Sequence, residues 1–398
     1  MSYRSSSSHS VEAILDERGL VSDGLVFVSG LTAADAESGI PPQAAVSGEF
    51  PYYGADIQKQ TTYVLEKLSR VLSTRGCRLE DVVKTQVFLT DCRLFDAFDQ
   101  IWKKFFPVPP PRTTVGVGSD AMAVPGTLVA VDAIAALPDV VGIRQIDSPR
   151  IPKPLANYTP CVGAGDWLFL AGQLPTEFGD TGLSPGAAVN PHFPHHVSSL
   201  ISQARFTIGV CQILLEDAGS DWDHTVRVHV FLKNMSEAPL FEALWNDKFD
   251  GNPPPYLIIG VDELLTGGAE IEIDVIAVRA GVPKHAATTA DRSPDQVGIS
   301  TAGLAATTFA VARVDVDDAG YRPFAVERAL RAAFDSAGAQ VGENARPVKV
   351  HAFLPRPADV FGLGRALPEG VAETAAISTS PSVDASSISL EVVYRTGV

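Results

Sequence analysis

Val87-Phe88-Leu89-Thr90-Asp91 leads to Trp102 and then to the run Pro109-Pro110-Pro111, and Val230-Phe231-Leu232-Lys233-Asn234 leads to Trp245 and then to Pro253-Pro254-Pro255. Val87 and Val230, like Trp102 and Trp245, stand 143 positions apart. A period of that size predicts tandem copies of a whole folding unit rather than a short solenoid repeat. The copies part company just after the prolines, where the first has Arg112 and the second Tyr256.

Upstream the pattern continues. Gly24-Leu25-Val26-Phe27-Val28-Ser29-Gly30 and Asp166-Trp167-Leu168-Phe169-Leu170-Ala171-Gly172 are apolar, β-favouring runs that end at glycine, each a strand meeting a turn. Phe50-Pro51 and Phe193-Pro194 then open helical segments. Ile57, Val64, Leu65, Leu68, Val71 and Leu72 fall at helical spacing in the first, and Leu200, Ile201, Ala204, Ile208, Cys211 and Leu215 in the second. Gly76 and Gly219 mark their ends. A middle strand follows (82–89; 225–232), then a helix carrying the tryptophan, then a closing strand (127–135; 269–278). A weaker third copy fills the rest. Ser300-Thr301-Ala302-Gly303 stands for the first strand end, 323–338 for the first helix, Val348 to Leu354 for the middle strand and Ser387 to Tyr394 for the closing one. Its second helix, 360–367, is short and has no tryptophan. The expected units are 11–140, 148–282 and 293–398, divided by stretches rich in proline, glycine, serine and charge.

Each copy reads β–β–α–β–α–β–β. The fold class is therefore α+β: three tandem domains, each a mostly antiparallel sheet with two helices on one face. The other face must be covered, and three like sheets meeting around a threefold-like axis would cover it.

The 398 residues are 45% apolar, enough for a real core, and carry a formal charge of −16. That charge opposes a nucleic-acid partner, which needs clustered lysine and arginine. Cys77, Cys92, Cys161 and Cys211 lie far apart with no CxxC spacing, so reduced thiols in a cytoplasmic protein are expected, with no disulfide framework and no metal. Met1 to Ser10 is serine-rich without an apolar segment, and no run reaches membrane-spanning length, so no membrane partner is expected. No phosphate loop, GxSxG elbow or HExxH motif is present, and no cofactor is expected.

The pattern resembles the RidA/YjgF family, small homotrimers that hydrolyse enamines and imines. The match rests on the two strand–glycine runs above and on Gln173-Leu174-Pro175 after the second. It rests also on Tyr158 in Asn157-Tyr158-Thr159-Pro160, Lys84-Thr85-Gln86-Val87-Phe88-Leu89-Thr90-Asp91 and Pro111-Arg112-Thr113-Thr114-Val115-Gly116-Val117. Val131-Asp132-Ala133-Ile134-Ala135 and Ile273-Asp274-Val275-Ile276-Ala277 resemble the closing strand. The resemblance covers the first two copies and is marginal in the third. It implies a chorismate-mutase-like fold with clefts between units, here an intrachain pseudo-trimer; further self-association is left open.

Arg112 is the first candidate, because a guanidinium grips a carboxylate through two parallel hydrogen bonds. The third copy has no arginine at this place, Glu373-Thr374-Ala375 lying nearest, so at most one cleft keeps the clamp. Ser29 and the Gly30 backbone are expected to help hold the substrate, and Asp132 takes the place of the family's water-orienting glutamate. Asp99 matches a polar cleft position, with Glu242 as its counterpart; Tyr158 lines this cleft or another. His192, His195 and His196 have spacing that can bind zinc, but no cysteine or glutamate partner in register. His229 and His351 share a strand position with Gln86, which suggests an interface contact. The expected function is hydrolytic deamination of a small carboxylated enamine or imine, 2-aminoacrylate-like or aminomuconate-like, with release of ammonia. The rivals are a non-catalytic binding or scaffold protein, and a hydrolase of another bond built around Tyr158, Tyr256 and the histidines.

Overall fold

The computed structural model describes residues 18–35, 37–118, 122–179, 182–289, 298–316, 321–342, 344–371, 375–382 and 387–397. The expected unit limits at 11, 293 and 398, and Glu373 and Thr374, lie outside these residues.

The first repeat runs β1 (Gly19–Ser22), β2 (Leu25–Thr32), α1 (Asp56–Ser73), β3 (Val82–Leu89), α2 (Phe95–Phe105), β4 (Arg112–Gly116) and β5 (Val129–Ala136). The second runs β6 (Ile143–Ile146), β7 (Cys161–Ala164), β8 (Trp167–Leu170), α3 (Ser199–Asp217), β9 (Thr225–Leu232), α4 (Ala238–Lys248), β10 (Tyr256–Gly260), β11 (Glu263–Leu264) and β12 (Ile271–Val278). The third runs β13 (His285–Thr289), β14 (Ile299–Leu304), β15 (Thr307–Asp315), α5 (Arg322–Val341), β16 (Arg346–Leu354), α6 (Val360–Ala366), β17 (Ala376–Pro381) and β18 (Ser387–Arg395). The strand orders superpose: β1-β2-β5-β3-β4, β7-β8-β12-β9-β10 and β14-β15-β18-β16-β17. The middle strand pairs parallel with the edge strand after the second helix, so each sheet is mixed. No helix among the described residues is long and apolar enough to cross a membrane.

Two boundaries fall earlier than the composition suggested. Ile143–Ile146 already pairs with β7, and His285–Thr289 with β14, because each linker is used as an extra edge strand. The third repeat also needs a correction. Ser300 to Gly303 lies in β14, the counterpart of β1, and not at the end of the β2 counterpart. By register, Phe309 matches Phe27 and Val311 occupies the place of Ser29. An unbroken β15 has neither the glycine nor the register shift that β2 shows after Val28.

One face of each sheet packs under its helices. In the first repeat Val64, Leu65, Leu68 and Leu72 of α1 and Phe98 and Trp102 of α2 bury against Val26, Val28, Val131 and Ala133. The opposite faces meet one another, and their strands alternate in layers. Phe27, Phe169 and Phe309 share one apolar cluster; Phe88, Phe231 and Phe353 share another. Between them in strand register lies a layer of charge. Lys84 Nζ is 2.5 Å from Asp274, Lys349 Nζ is 2.8 Å from Asp132, and Arg227 pairs with Asp274 while its Nε lies 3.1 Å from Glu391. First repeat thus joins second, second joins third and third joins first. Gln86 Nε2 contacts His229 Nδ1 at 2.9 Å, His229 Nε2 lies 3.0 Å from Glu391, and His351 Nδ1 lies 3.1 Å from Asp132. A void of about 10 Å³ among Lys84, Asp132, Arg227, Lys349 and Glu391 has room for one water.

Burial alone would raise these three carboxyls. Lys349 and His351 at Asp132, Lys84 and Arg227 at Asp274, and Arg227 at Glu391 with a hydrogen bond from His229, outweigh it and hold all three well below the usual carboxylate range. Burial, and then Arg227, push His229 down to about 4, so its imidazole is neutral at ordinary pH. Such pairs add little net stability over apolar residues of equal size. Removing one partner, however, strands a buried charge at a cost of about 3–5 kcal/mol. The ring therefore enforces which sheet faces which.

Candidate active site

Arg112 begins β4 directly after three prolines, with Thr85 of β3 as its ladder neighbour. Successive strand side chains take opposite faces. Thr113 points to the axis, where it bonds Asp274 and accepts from Lys84 Nζ at 2.9 Å. Arg112 points the other way, onto α2. Its guanidinium carbon lies 4.9 Å from the Trp102 ring and 5.2 Å from that of Phe95, and Nη1 donates to Asp99 at 2.9 Å. Asp99 also takes Lys103 at 2.8 Å. Burial draws the guanidinium below its usual value against the pull of Asp99, yet an arginine stays charged.

The second repeat grips this segment along its length. Thr159 Oγ1 donates to the Pro109 carbonyl at 2.6 Å, Asn157 Nδ2 to that of Phe106 at 3.3 Å, and the Gly172 N–H to that of Arg112 at 3.2 Å. At the far end β11 adds itself to the edge of β4, and Glu263 accepts the Cys92 N–H at 2.7 Å. The cleft that holds Arg112 is thus walled by repeats one and two.

Into it β12 delivers Glu272, two residues before Asp274 and on the same face of the strand. The backbone N–H of Thr114 donates to its carboxyl. Gly172 makes the approach feasible, since a Cβ there would run into Glu272 Oε1. Burial, and then the charge of Asp274, push the Glu272 carboxyl up to about 8, with Lys84 and Arg112 opposing. Glu272 Oε2 and Thr114 Oγ1 are buried without a hydrogen-bond partner. Two buried polar atoms without partners on residues already joined by a hydrogen bond are unusual in a native interior and suit a bound water or a substrate oxygen. Half-buried Tyr158 completes the group: it interacts electrostatically with both Arg112 and Glu272, and burial, then Glu272, hold its phenol well above the usual value as a neutral donor. Cys92 borders the site, but burial, then Glu263, push its thiol up to about 12, so it carries no thiolate at neutral pH.

The structure brings Arg112, Asp99 and Tyr158 together, with Asp99 bonding the guanidinium and not facing outward. It does not bring Ser29, Gly30 or Asp132 to Arg112. Asp132 lies on the axis face of β5, accepts the Gly30 N–H at 2.6 Å and pairs with Lys349 of the third repeat. The expectation that Arg112, Ser29 and Asp132 share one pocket is therefore corrected: β4 turns Arg112 away from the face on which Asp132 sits, and the partners come from different neighbouring repeats. Glu242 is part-exposed and 3.9 Å from Arg313. His192, His195 and His196 are exposed, and no group of side chains among the described residues could hold a metal ion. Glu272 was missed. Its signal was present: Glu272 and Asp274 are two acids, two positions apart, in an otherwise apolar strand where the first repeat has Ala130 and Asp132 and the third has Ser389 and Glu391.

The endoribonuclease L-PSP family model matches residues 16–137 and again 149–279. Protein mmf2, mitochondrial, of Schizosaccharomyces pombe is 34% identical over 116 residues, which is 29% of this chain and 82% of that protein. Among solved structures, yeast Mmf1 is 22% identical with a TM-score of 0.29, over 35% of this chain and 99% of that one. The YjgF gene product of E. coli is 24% identical with a TM-score of 0.28, over 34% and 98%.

Proposed function

Since the chain belongs to the endoribonuclease L-PSP (RidA/YjgF) family, we propose that the cleft between its first two repeats hydrolyses the C=N bond of a small carboxylated imine, reached directly or from its enamine tautomer. One observation carries this reading: a fixed guanidinium, Arg112, and a carboxyl held protonated near neutrality, Glu272, share a buried cleft with an unsatisfied acceptor and hydroxyl. Arg112 holds the substrate carboxylate. Glu272 gives its proton to the imine nitrogen, and the resulting carboxylate takes a proton from the water that attacks the imine carbon. The tetrahedral carbinolamine then loses its nitrogen as ammonia, with the proton returned through the same carboxyl, leaving a 2-oxo acid. Thr114 Oγ1 and the Tyr158 phenol orient water and substrate oxygen. Ser29, Gly30 and Asp132 have no direct part in this scheme, and a net charge of −16 speaks against a ribonucleic acid substrate.

One observation favours the rival reading of a non-catalytic binder: Arg112 is nearly fully buried and already paired with Asp99. Ammonia release from imines made in situ by an amino-acid oxidase separates the two. Catalysis by the wild type that falls at least about a hundredfold in Glu272→Gln, as expected for loss of an acid–base group, supports the hydrolase. Equal release with and without the protein supports the binder.

A further inference from the structure

Residues 188–202 of the second repeat, which lead into and open α3, surround a hollow of about 330 Å³. The sequence dictates its frame. In Asn190-Pro191-His192-Phe193-Pro194-His195-His196 a proline stands second in each of two successive four-residue turns, the place its fixed φ suits. The Phe193 N–H donates to the Asn190 carbonyl at 2.9 Å, and the His196 N–H to that of Phe193 at 3.1 Å. Steps of three bring Asn190, Phe193 and His196 to one side, and all three line the hollow with Val189, Val197 and Ser202.

The first repeat has the same frame 143 positions earlier. Ala44-Ala45-Val46-Ser47 and Phe50-Pro51-Tyr52-Tyr53 match Ala187-Ala188-Val189-Asn190 and Phe193-Pro194-His195-His196. The turns recur, the Phe50 N–H donating to Ser47 at 3.0 Å and the Tyr53 N–H to Phe50 at 3.2 Å. There the aromatic ring has a partner: Phe50 meets Tyr53 edge-on, with centroids 6.1 Å apart. In the second repeat His196 replaces Tyr53, and the exposed Phe193 ring has no aromatic partner among the described residues. The hollow opens beside this uncovered ring.

Charge narrows the choice of occupant. Residues 181–215 contain no aspartate or glutamate, in a chain with 47 of them and a net charge of −16, and hold three of its eight histidines. Asn190 Oδ1 accepts the His192 N–H at 2.9 Å, which leaves the amide nitrogen to donate. The side chains of His196 and Ser202 make no hydrogen bond to the described residues. Glu177 and Glu270 are engaged by Ser184 and Ser199, and neither lines the hollow. Its polar rim thus offers donors and no carboxylate.

We propose that the hollow is a binding site, built from residues other than those of the Arg112 cleft, for a small planar aromatic carboxylate. The ligand's ring lies against Phe193, in the place that Tyr53 takes in the first repeat. Its carboxylate accepts from Asn190, His196 and Ser202. The volume suits one or two fused rings. Binding there requires no catalysis in the cleft.

The test is calorimetric titration of the intact chain with 2-naphthoate, its neutral analogue 2-naphthalenemethanol, and acetate. One naphthoate is expected per chain, held at least about tenfold more tightly than either analogue, because ring and charge both contribute. Phe193→Ala and His196→Ala should each weaken it by about tenfold. Both residues are exposed, so unfolding midpoints should not move. Folded Arg112→Ala should bind naphthoate as the wild type does. Absence of binding, binding that neither Phe193→Ala nor His196→Ala weakens, or loss of binding in folded Arg112→Ala overturns the site. Equal affinity for the alcohol overturns it as well, since the donor rim then plays no part. Sedimentation covers the remaining occupant: a wild-type dimer that Phe193→Ala dissociates would mean that a second copy of the chain covers the ring, and would overturn the small-molecule site.

Discussion

The axis and the Arg112 cleft are built from the same kinds of side chain, buried cations beside buried carboxylates, but they differ in how often the chain repeats them. At the axis every element occurs three times: Lys84, Arg227 and Lys349 on the middle strands, Asp132, Asp274 and Glu391 on the closing strands. In the cleft each element occurs once. Tyr256 and Ile377 stand where Arg112 would be, and Ala130 and Ser389 where Glu272 would be. The electrostatics divide the same way. Every axis carboxylate has a cation and lies below its ordinary range, whereas Glu272 is raised well above it by burial and then by the charge of Asp274. Charges that recur in a fused repeat hold the repeats together; charges that occur once are available for chemistry.

The largest effect that tests this contrast is catalytic. Glu272→Gln and Arg112→Ala are each expected to cost about 10²–10⁴ in kcat/KM per folded molecule for imine hydrolysis; Arg112→Ala also strands the buried Asp99 carboxylate and lowers the unfolding midpoint, whereas Glu272→Gln leaves the fold no less stable than the wild type. Asp132→Ala should do the opposite: a loss of about 3–5 kcal/mol in denaturant unfolding, from stranding Lys349, with the rate per folded molecule nearly preserved. A catalytic collapse in folded Asp132→Ala would erase the distinction between the two regions. A sharper form of the same test is the pair Asp132→Leu with Lys349→Met, which should recover most of the stability that either single change loses.

Acidity separates the regions by sign. The axis carboxyls have depressed folded values, so the stability they contribute is present above the unfolded value of about 4 and is lost as pH falls through the folded values. Glu272 runs the other way. The folded protein keeps a proton that the unfolded chain releases, so stability declines as pH rises from about 4.3 to about 8 and is lower above that. Glu272→Gln should therefore raise unfolding stability at pH 9 relative to the wild type and change it least near pH 4. The same group predicts that kcat/KM falls on the alkaline side of about 8 as the acid ionises. The smallest effect expected is that of Thr159→Ala, which removes the hydroxyl holding the Pro109 carbonyl. About 1 kcal/mol of stability should be lost, with a modest rise in KM because the Arg112 segment is less firmly held.

Much of the fold was legible because a duplicated sequence prints its elements twice. The strand, tryptophan and proline markers located the strands and helices of the first two repeats, and the stripe of Val326, Leu330, Ala333 and Phe334 located α5 in the third. The end of the third repeat's second strand was not legible. Ser300 to Gly303 imitates a strand–glycine ending, but only backbone pairing reveals that this strand is the outer partner of β15. Arg112 and Tyr158 were expected from the family resemblance, and each interacts electrostatically with the other in the fold. Glu272 was passed over for Asp132 because both lie in the same apolar strand pattern, and a step of two residues keeps the side chain on the same face. Which of two acids meets the neighbouring edge strand depends on how the repeats dock, and docking is set by side chains far apart in sequence, such as Lys349 and Asp132, 217 positions from each other. The comparison among copies would have resolved it, since only Glu272 lacks an acidic counterpart.

The central claim is that one cleft of three carries the chemistry, and the number of binding sites per chain tests it most directly. Calorimetric titration of the intact protein with a 2-oxo acid product should give one site per chain, abolished by Arg112→Ala and unaffected by Tyr256→Phe. Two or three equivalent sites, or one that survives Arg112→Ala, would contradict the account.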